Sequence, residues 1–122
     1  MKKTIFAFAA SATLSGCMSM GNLTEETPIY TGELRGNYYD LAECTKAQHA
    51  KTAPMVRIDL LHDKKHQEAT VTWNHDFGAM NAFVFKEVDP SHTRLTAYSA
   101  VSNGLGLVKF AENCQQETAA AR

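Results

Sequence analysis

The sequence predicts an α+β domain: an antiparallel sheet in the order strand, helix, four strands, helix, with both helices packed on one face. Three observations predict it. Four stretches between Met55 and Val101 alternate apolar with polar residues and are separated by short polar turns. Two further stretches, one before that run and one after it, repeat their apolar residues at helical spacing. The chain of 122 residues is 44% hydrophobic and 20% charged, enough for one small folded core.

Taken in order, Ile29 to Gly36 reads as the first strand, with Tyr30 and Leu34 on one face and Gly32 between them. Asn37 has the chemistry of a helix N-cap, and Asp40 stands three residues on, in the capping-box position. The helix predicted from Tyr38 to about Lys51 carries Leu41, Cys44, Thr45 and Gln48 along one stripe with Ala47 beside it. Pro54 ends it, because the residue before a proline avoids the α region. Met55 to Leu61 places Val56, Ile58 and Leu60 on one face, and His62 to Gln67 reads as a polar turn. Glu68 to Asn74 turns Ala69, Val71 and Trp73 inward, and His75 to Gly78 is the next turn. Met80 to Val88 is apolar on both faces, Phe83 and Phe85 on one and Ala82 and Val84 on the other. A strand of that kind is buried on both sides or meets a partner, so Phe83 and Phe85 are the candidate interface residues. After the turn at Asp89–Ser91, His92 to Val101 sets Leu95 and Ala97 opposite Arg94, Thr96 and Tyr98. Ser102-Asn103-Gly104 breaks that strand. Leu107, Phe110, Ala111 and Cys114 then follow at i, i+3, i+4 and i+7, an amphipathic helix face. The tail beyond Gln115 loses the stripe.

Composition excludes several classes. No apolar run reaches the roughly 18 to 20 residues that span a bilayer. With 12 basic and 13 acidic residues, the charge is far from that of a general nucleic-acid binder. Candidate chemistry is sparse. His62 and His66 have i, i+4 spacing, but they flank two lysines in a turn, where that spacing does not converge on a metal. His75-Asp76, and Asp89 with His92, are also turn residues. Gly104-Leu105-Gly106 before a helix lacks the rest of a phosphate-binding fingerprint. Neither Gly-x-Ser-x-Gly nor His-Glu-x-x-His occurs. No catalytic residue, metal ligand or cofactor is assigned. Trp73, Phe83, Phe85 and Tyr98 are the side chains that either fill the core or line a ligand groove.

The first sixteen residues have a different character. Lys2 and Lys3 precede an apolar stretch that opens at Ile5 and runs through small residues to Leu14, the layout of a cleaved export signal. Leu14-Ser15-Gly16-Cys17 resembles the lipobox of bacterial lipoproteins. That resemblance implies cleavage between Gly16 and Cys17, a diacylglyceryl thioether on Cys17 and acylation of the new amino terminus. Two or three acyl chains hold a protein on a bilayer where one holds only weakly, at about 0.8 kcal/mol per buried CH₂. Met18 follows the cysteine; it is not the Asp that resembles an inner-membrane retention signal, which implies sorting to the outer membrane with the domain facing the periplasm rather than the cell surface. The expected division is a leader over 1–16, a lipidated flexible tether over 17–28 and one domain over 29–122. Loss of the leader removes Lys2 and Lys3 and leaves ten basic against thirteen acidic residues. Such a domain attaches through acyl chains rather than through its charge.

If Cys17 carries lipid, Cys44 and Cys114 remain as an even pair in an oxidising compartment and are expected to form a disulfide. The loop they close is worth about 4 kcal/mol by the chain-entropy model. The bond would clip one predicted helix to the other. The element order resembles helix-grip domains, including that of an outer-membrane barrel-assembly lipoprotein subunit, although no motif residues carry site positions across. As a whole the chain resembles small proteobacterial envelope lipoproteins. The expected role is non-enzymatic binding of another envelope component. The alternatives are a small-ligand or lipid carrier, and an envelope hydrolase or enzyme inhibitor.

Overall fold

The computed structural model describes residues 23–52, 55–75, 78–100 and 104–115. The expected leader and Gly16–Cys17 junction, Pro54, Asp76, the strand break at Ser102-Asn103 and the tail beyond Gln115 lie outside the described residues. Within them the elements are β1 (Tyr30–Arg35), α1 (Tyr38–Thr52), β2 (Arg57–Asp63), β3 (Glu68–His75), β4 (Gly78–Asp89), β5 (His92–Ser99) and α2 (Gly104–Asn113). The α+β class, the antiparallel sheet and the order of elements are those read from the sequence.

Strands β2 to β5 form a meander, and β1 pairs with β5, so the sheet runs β1-β5-β4-β3-β2 with antiparallel pairs throughout. Strands β1 and β2 are therefore the two edges, and α1, which joins them, must cross the whole face. Its 15 residues make a rod of about 22 Å. The outer strands of a five-stranded sheet are about 19 Å apart. The helix is thus long enough to bridge the sheet from edge to edge.

Asn37 starts α1 as its residue type predicts. Its Oδ1 accepts the amide hydrogens of Tyr39 at 2.9 Å and Asp40 at 3.1 Å, which satisfies two of the free donors at the helix start. The buried stripe of α1 is Tyr38, Leu41, Ala42 and Thr45. Ala47 is exposed, a correction to its expected place beside the stripe: the helix presents the Leu41–Thr45 side to the sheet and Ala47 turns outward. Thr45 is buried without penalty because its hydroxyl donates to the Leu41 carbonyl at 2.7 Å.

Helix α2 buries Leu107, Val108 and Ala111, with Phe110 partly covered. Gly104 explains the glycine at its start. A Cβ there would lie 2.5 Å from Ile29 Cδ1 and 2.6 Å from Ser99 Cβ, so only glycine lets α2 approach β5 this closely. Gly106 has open space around it. The Gly-x-Gly pair therefore reflects packing at one glycine.

Between helices and sheet lies one core of Leu34, Ala69, Val71, Trp73, Phe83, Phe85, Leu95 and Ala97, with the helix residues above them. Cys44 on α1 and Cys114, just past α2, are disulfide-bonded, with Cα atoms 5.9 Å apart and a sequence separation of 70. The bond fastens the two helices side by side over the same face.

The other face of the sheet holds a smaller cluster. Leu23 is fully buried against Ala79, Ala82 and Tyr98. The turn at Leu23–Glu26 is closed by the Glu26 amide donating to the Leu23 carbonyl at 3.1 Å. This corrects the expected tether over 17–28. Leu23 itself is docked, because it is a branched aliphatic side chain that meets two alanines and a tyrosine ring on a face the helices leave open, while Glu25–Ile29 are exposed.

Candidate functional site

Phe83 and Phe85 are both fully buried under the helices. They belong to the core, which corrects their candidacy as interface residues. From Asn81 to Phe85, alternation along β4 sends the odd-numbered side chains to the helix layer and leaves Ala82 and Val84 on the other face, while a register shift against β3 puts Ala79 on that face too. Trp73 lies beside Phe83, ring centroids 4.7 Å apart. Tyr98 sits on the opposite side of the sheet with Leu23. The four aromatic residues thus do not line one groove.

Two histidines are held by aromatic partners in the helix–sheet seam. His49, on the last turns of α1, accepts the Trp73 indole N–H at Nδ1 over 2.5 Å and stands edge-on to both Trp73 and Phe110. Burial depresses its imidazole below the ordinary value of 6.5. Protonation at Nδ1 would remove the acceptor that Trp73 uses.

His62 lies in β2, not in the turn, because the strand continues two residues past Leu61. Its Nε2 is 2.8 Å from the Tyr38 hydroxyl, and its ring stacks on Tyr39 with centroids 4.2 Å apart. Tyr39 in turn hydrogen-bonds Glu43, and that bond, with burial behind it, raises the phenol above its usual range, so the proton stays on Tyr39. His62 and His66 are therefore partners of different groups. One is taken by tyrosines of α1, the other by Asp63.

The remaining acid–histidine contacts cap turns. The Asp63 carboxylate accepts the His66 amide at 3.2 Å and lies 2.8 Å from His66 Nδ1. The ring contact is the main reason that carboxyl sits below the usual range. Gln67 takes a positive φ of 54° to complete this turn. Asp89 accepts the Ser91 amide at 2.8 Å and lies 3.0 Å from His92 Nδ1. The Ser91 amide first, then the His92 ring, holds the Asp89 carboxyl low.

Asp89, Ser91 and His92 are the residue types of a hydrolase triad, but the geometry is not that of a relay. A relay needs serine and carboxylate on opposite ring nitrogens. Here Ser91 Oγ, at 3.3 Å, and Asp89 both meet Nδ1, and Ser91 Oγ also bonds Asp89 at 3.1 Å. The arrangement closes the β4–β5 turn. Among the described residues no three His, Cys, Asp or Glu side chains converge to hold a metal, and no helix is long and apolar enough to cross a membrane.

The open face of the sheet is the largest feature the sequence did not resolve. Its pairing rows are visible in the register: Leu61, Thr70, Val84, Thr96 and Thr31 form one, and Asp59, Thr72, Ala82 and Tyr98 the next. Leu61 is 58% exposed. Beside Leu23 sits a polar cluster. Arg57 Nε donates to Asp59 at 3.0 Å, and Asn74 Nδ2 donates to Asp59 at 2.9 Å and to Thr72 at 3.1 Å. The Arg57 side chain is 73% exposed. The signal that could have located this face was Leu23 itself, the one apolar residue in Gly21–Pro28.

Compared with known proteins, the chain matches no family model, no curated protein and no solved structure.

Proposed function

We propose that this chain is an outer-membrane lipoprotein of the bacterial envelope, held by acyl chains on Cys17, whose disulfide-clipped domain stands in the periplasm and binds another envelope component without catalysis. The observation that carries the reading is how the three cysteines divide. Cys44 and Cys114 are bonded to each other. Cys17 is left over, and it is the cysteine that follows Leu14-Ser15-Gly16 behind a short apolar leader. An odd cysteine in an exported protein calls for a use of its own, and lipidation at that motif supplies one. Two or three acyl chains give attachment that a mildly acidic domain does not get from its charge. The acid–histidine pairs of the described residues are spent on turn caps, which favours a binding role over catalysis.

The test is growth with labelled palmitate, followed by membrane fractionation and intact-mass analysis. The wild-type chain takes up label, sediments with outer membranes and begins at an acylated Cys17. Cys17→Ala loses the label and the sedimentation. Export with Cys17 unmodified, after cleavage near Ala10-Ser11-Ala12, overturns the reading. Partner binding is tested by in-cell photocrosslinking with probes at the exposed helix positions Leu105 and Lys109. A discrete adduct is the expected outcome, and unchanged mobility at both positions counts against a protein partner.

A further inference from the structure

We infer that the open face of the sheet, at the end where Leu23 docks, faces a phospholipid surface, and that the helix layer points away from it. The inference rests on the acylation of Cys17 proposed above and adds an orientation to it. The chain enters the folded domain at Leu23, fully buried against Ala79 and Ala82 of β4 and Tyr98 of β5. Those strands are the third and second of the order β1-β5-β4-β3-β2, and Ala79 is the second residue of β4 and Tyr98 the last but one of β5, so the entry point lies between the edge strands and close to the strand ends.

Six residue steps separate Cys17 from Leu23. Fully extended, they reach about 20 Å. Bringing the helices to the membrane would require the segment to leave the open face past the strand ends about 5 Å away. It would then have to pass a sheet and a helix layer together about 20 Å thick. The required path of about 25 Å exceeds the reach, whereas a bilayer on the open side needs none of it.

The surface at that position suits phospholipid headgroups. Arg57 gives its Nε–H to Asp59, and its side chain is 73% exposed, so the rest of the guanidinium faces outward. A guanidinium pairs with phosphate in bidentate geometry. Asn74 and Thr72 supply further polar groups in the same cluster. Leu61, 58% exposed on this face, adds an apolar contact at headgroup depth.

The experiment uses the acylated protein, its lipid verified by intact mass, reconstituted in vesicles of phosphatidylethanolamine and phosphatidylglycerol. Hydroxyl-radical footprinting compares it with the leaderless Cys17→Ser chain free in solution. The inference expects loss of labelling at Leu61 and Tyr98 on the vesicles and unchanged labelling at Leu105 and Phe110. A second variant inserts a Gly/Ser segment of about twenty residues, with a typical span of about 25 Å, between Gly21 and Asn22. It leaves the folded residues intact and restores labelling at Leu61 and Tyr98.

Protection at Leu105 and Phe110 instead, or equal labelling of both faces in a chain whose acylation is verified, overturns the orientation and leaves the anchoring intact. Protection of Leu61 and Tyr98 in the free, unacylated chain means that a second copy covers the face, and this too overturns it. An intact mass without lipid removes the anchoring and the orientation together, which separates the two failures.

Discussion

The two faces of this sheet share five strands and differ in almost every property. On the helix side Ala69, Val71, Phe83, Phe85, Leu95 and Ala97 are each fully buried. One residue along the same strands, Thr70, Val84 and Thr96 are only half-covered. The difference follows from the period-two alternation of a strand, which assigns neighbours to opposite sides whatever their chemistry. Large aromatic side chains gain from burial only where a second layer closes over them, and α1 and α2 provide that layer on one side. The other side has Leu23, a polar cluster and solvent. Most of the buried core therefore belongs to one face, and the exposed remainder of the other is open to being specialised for contact.

The largest test of that asymmetry is to remove core volume. Phe83→Ala is expected to cost about 3 to 5 kcal/mol, since it leaves a cavity beside Trp73 that the clipped helices cannot fill by collapsing. Denaturant unfolding followed by far-UV circular dichroism measures it. Replacing both Cys44 and Cys114 by serine probes the same layer through the unfolded chain. The loop released is long, and the chain-entropy model gives a loss of about 4 kcal/mol. If this double variant were as stable as the parent, the two helices would hold the core without their clip. Next comes Leu23→Ala on the open face, expected to cost roughly 2 to 3 kcal/mol because the side chain is fully buried but its pocket is small and lies near a chain end. A cost near zero would mean that Leu23 does not hold the entry segment to the sheet.

Much of this asymmetry was written in the sequence, and the places where it was not have physical causes. Strand faces were legible because Val71 and Trp73, or Leu95 and Ala97, alternate with threonines and charged residues, and alternation survives into any antiparallel sheet. The start of α1 was legible because Asn37 caps locally, within three residues. The disulfide was legible by counting once Cys17 is set aside. The sequence misplaces Ala47 because α1 has a weak stripe, and the sheet, not the helix, decides which side is buried. The sequence puts His62 in a turn because its partners, Tyr38 and Tyr39, stand on the previous element and are set by tertiary packing. The sequence puts Leu23 in the tether because a single apolar residue among polar ones carries no period. What Phe83 and Phe85 could not reveal was which of the two apolar faces of β4 the helices would choose.

A smaller effect follows from His49. Its folded-state value lies below 6.5, so between those two values the unfolded chain holds a proton that the folded chain does not. Stability is then flat above about 6.5, falls as pH drops from there towards the depressed value, and levels off below it. Trp73 is the single tryptophan of the chain and donates to His49 directly. Its fluorescence reports the transition from within the contact. His49→Gln keeps an acceptor that does not titrate, and the wild-type fall relative to this variant isolates the histidine. Equal pH profiles for the two proteins would show that folding does not depress the His49 imidazole.

The finest comparison uses one substitution twice. Val71 and Val84 lie on neighbouring strands and face opposite sides of the sheet, Val71 fully buried and Val84 half-covered between Thr70 and Thr96. Threonine has nearly the shape of valine, so Val→Thr changes polarity and little else. At Val71 the new hydroxyl enters a core whose neighbours are aromatic and aliphatic, and the expected cost is about 1 to 3 kcal/mol. At Val84 it extends a row that is already threonine on both sides, reached by water, and the expected change is within about 0.5 kcal/mol. Paired unfolding curves for the two variants measure the difference directly. Equal costs would mean that the open face is covered as fully as the core. That result would contradict a contact surface left free by the fold.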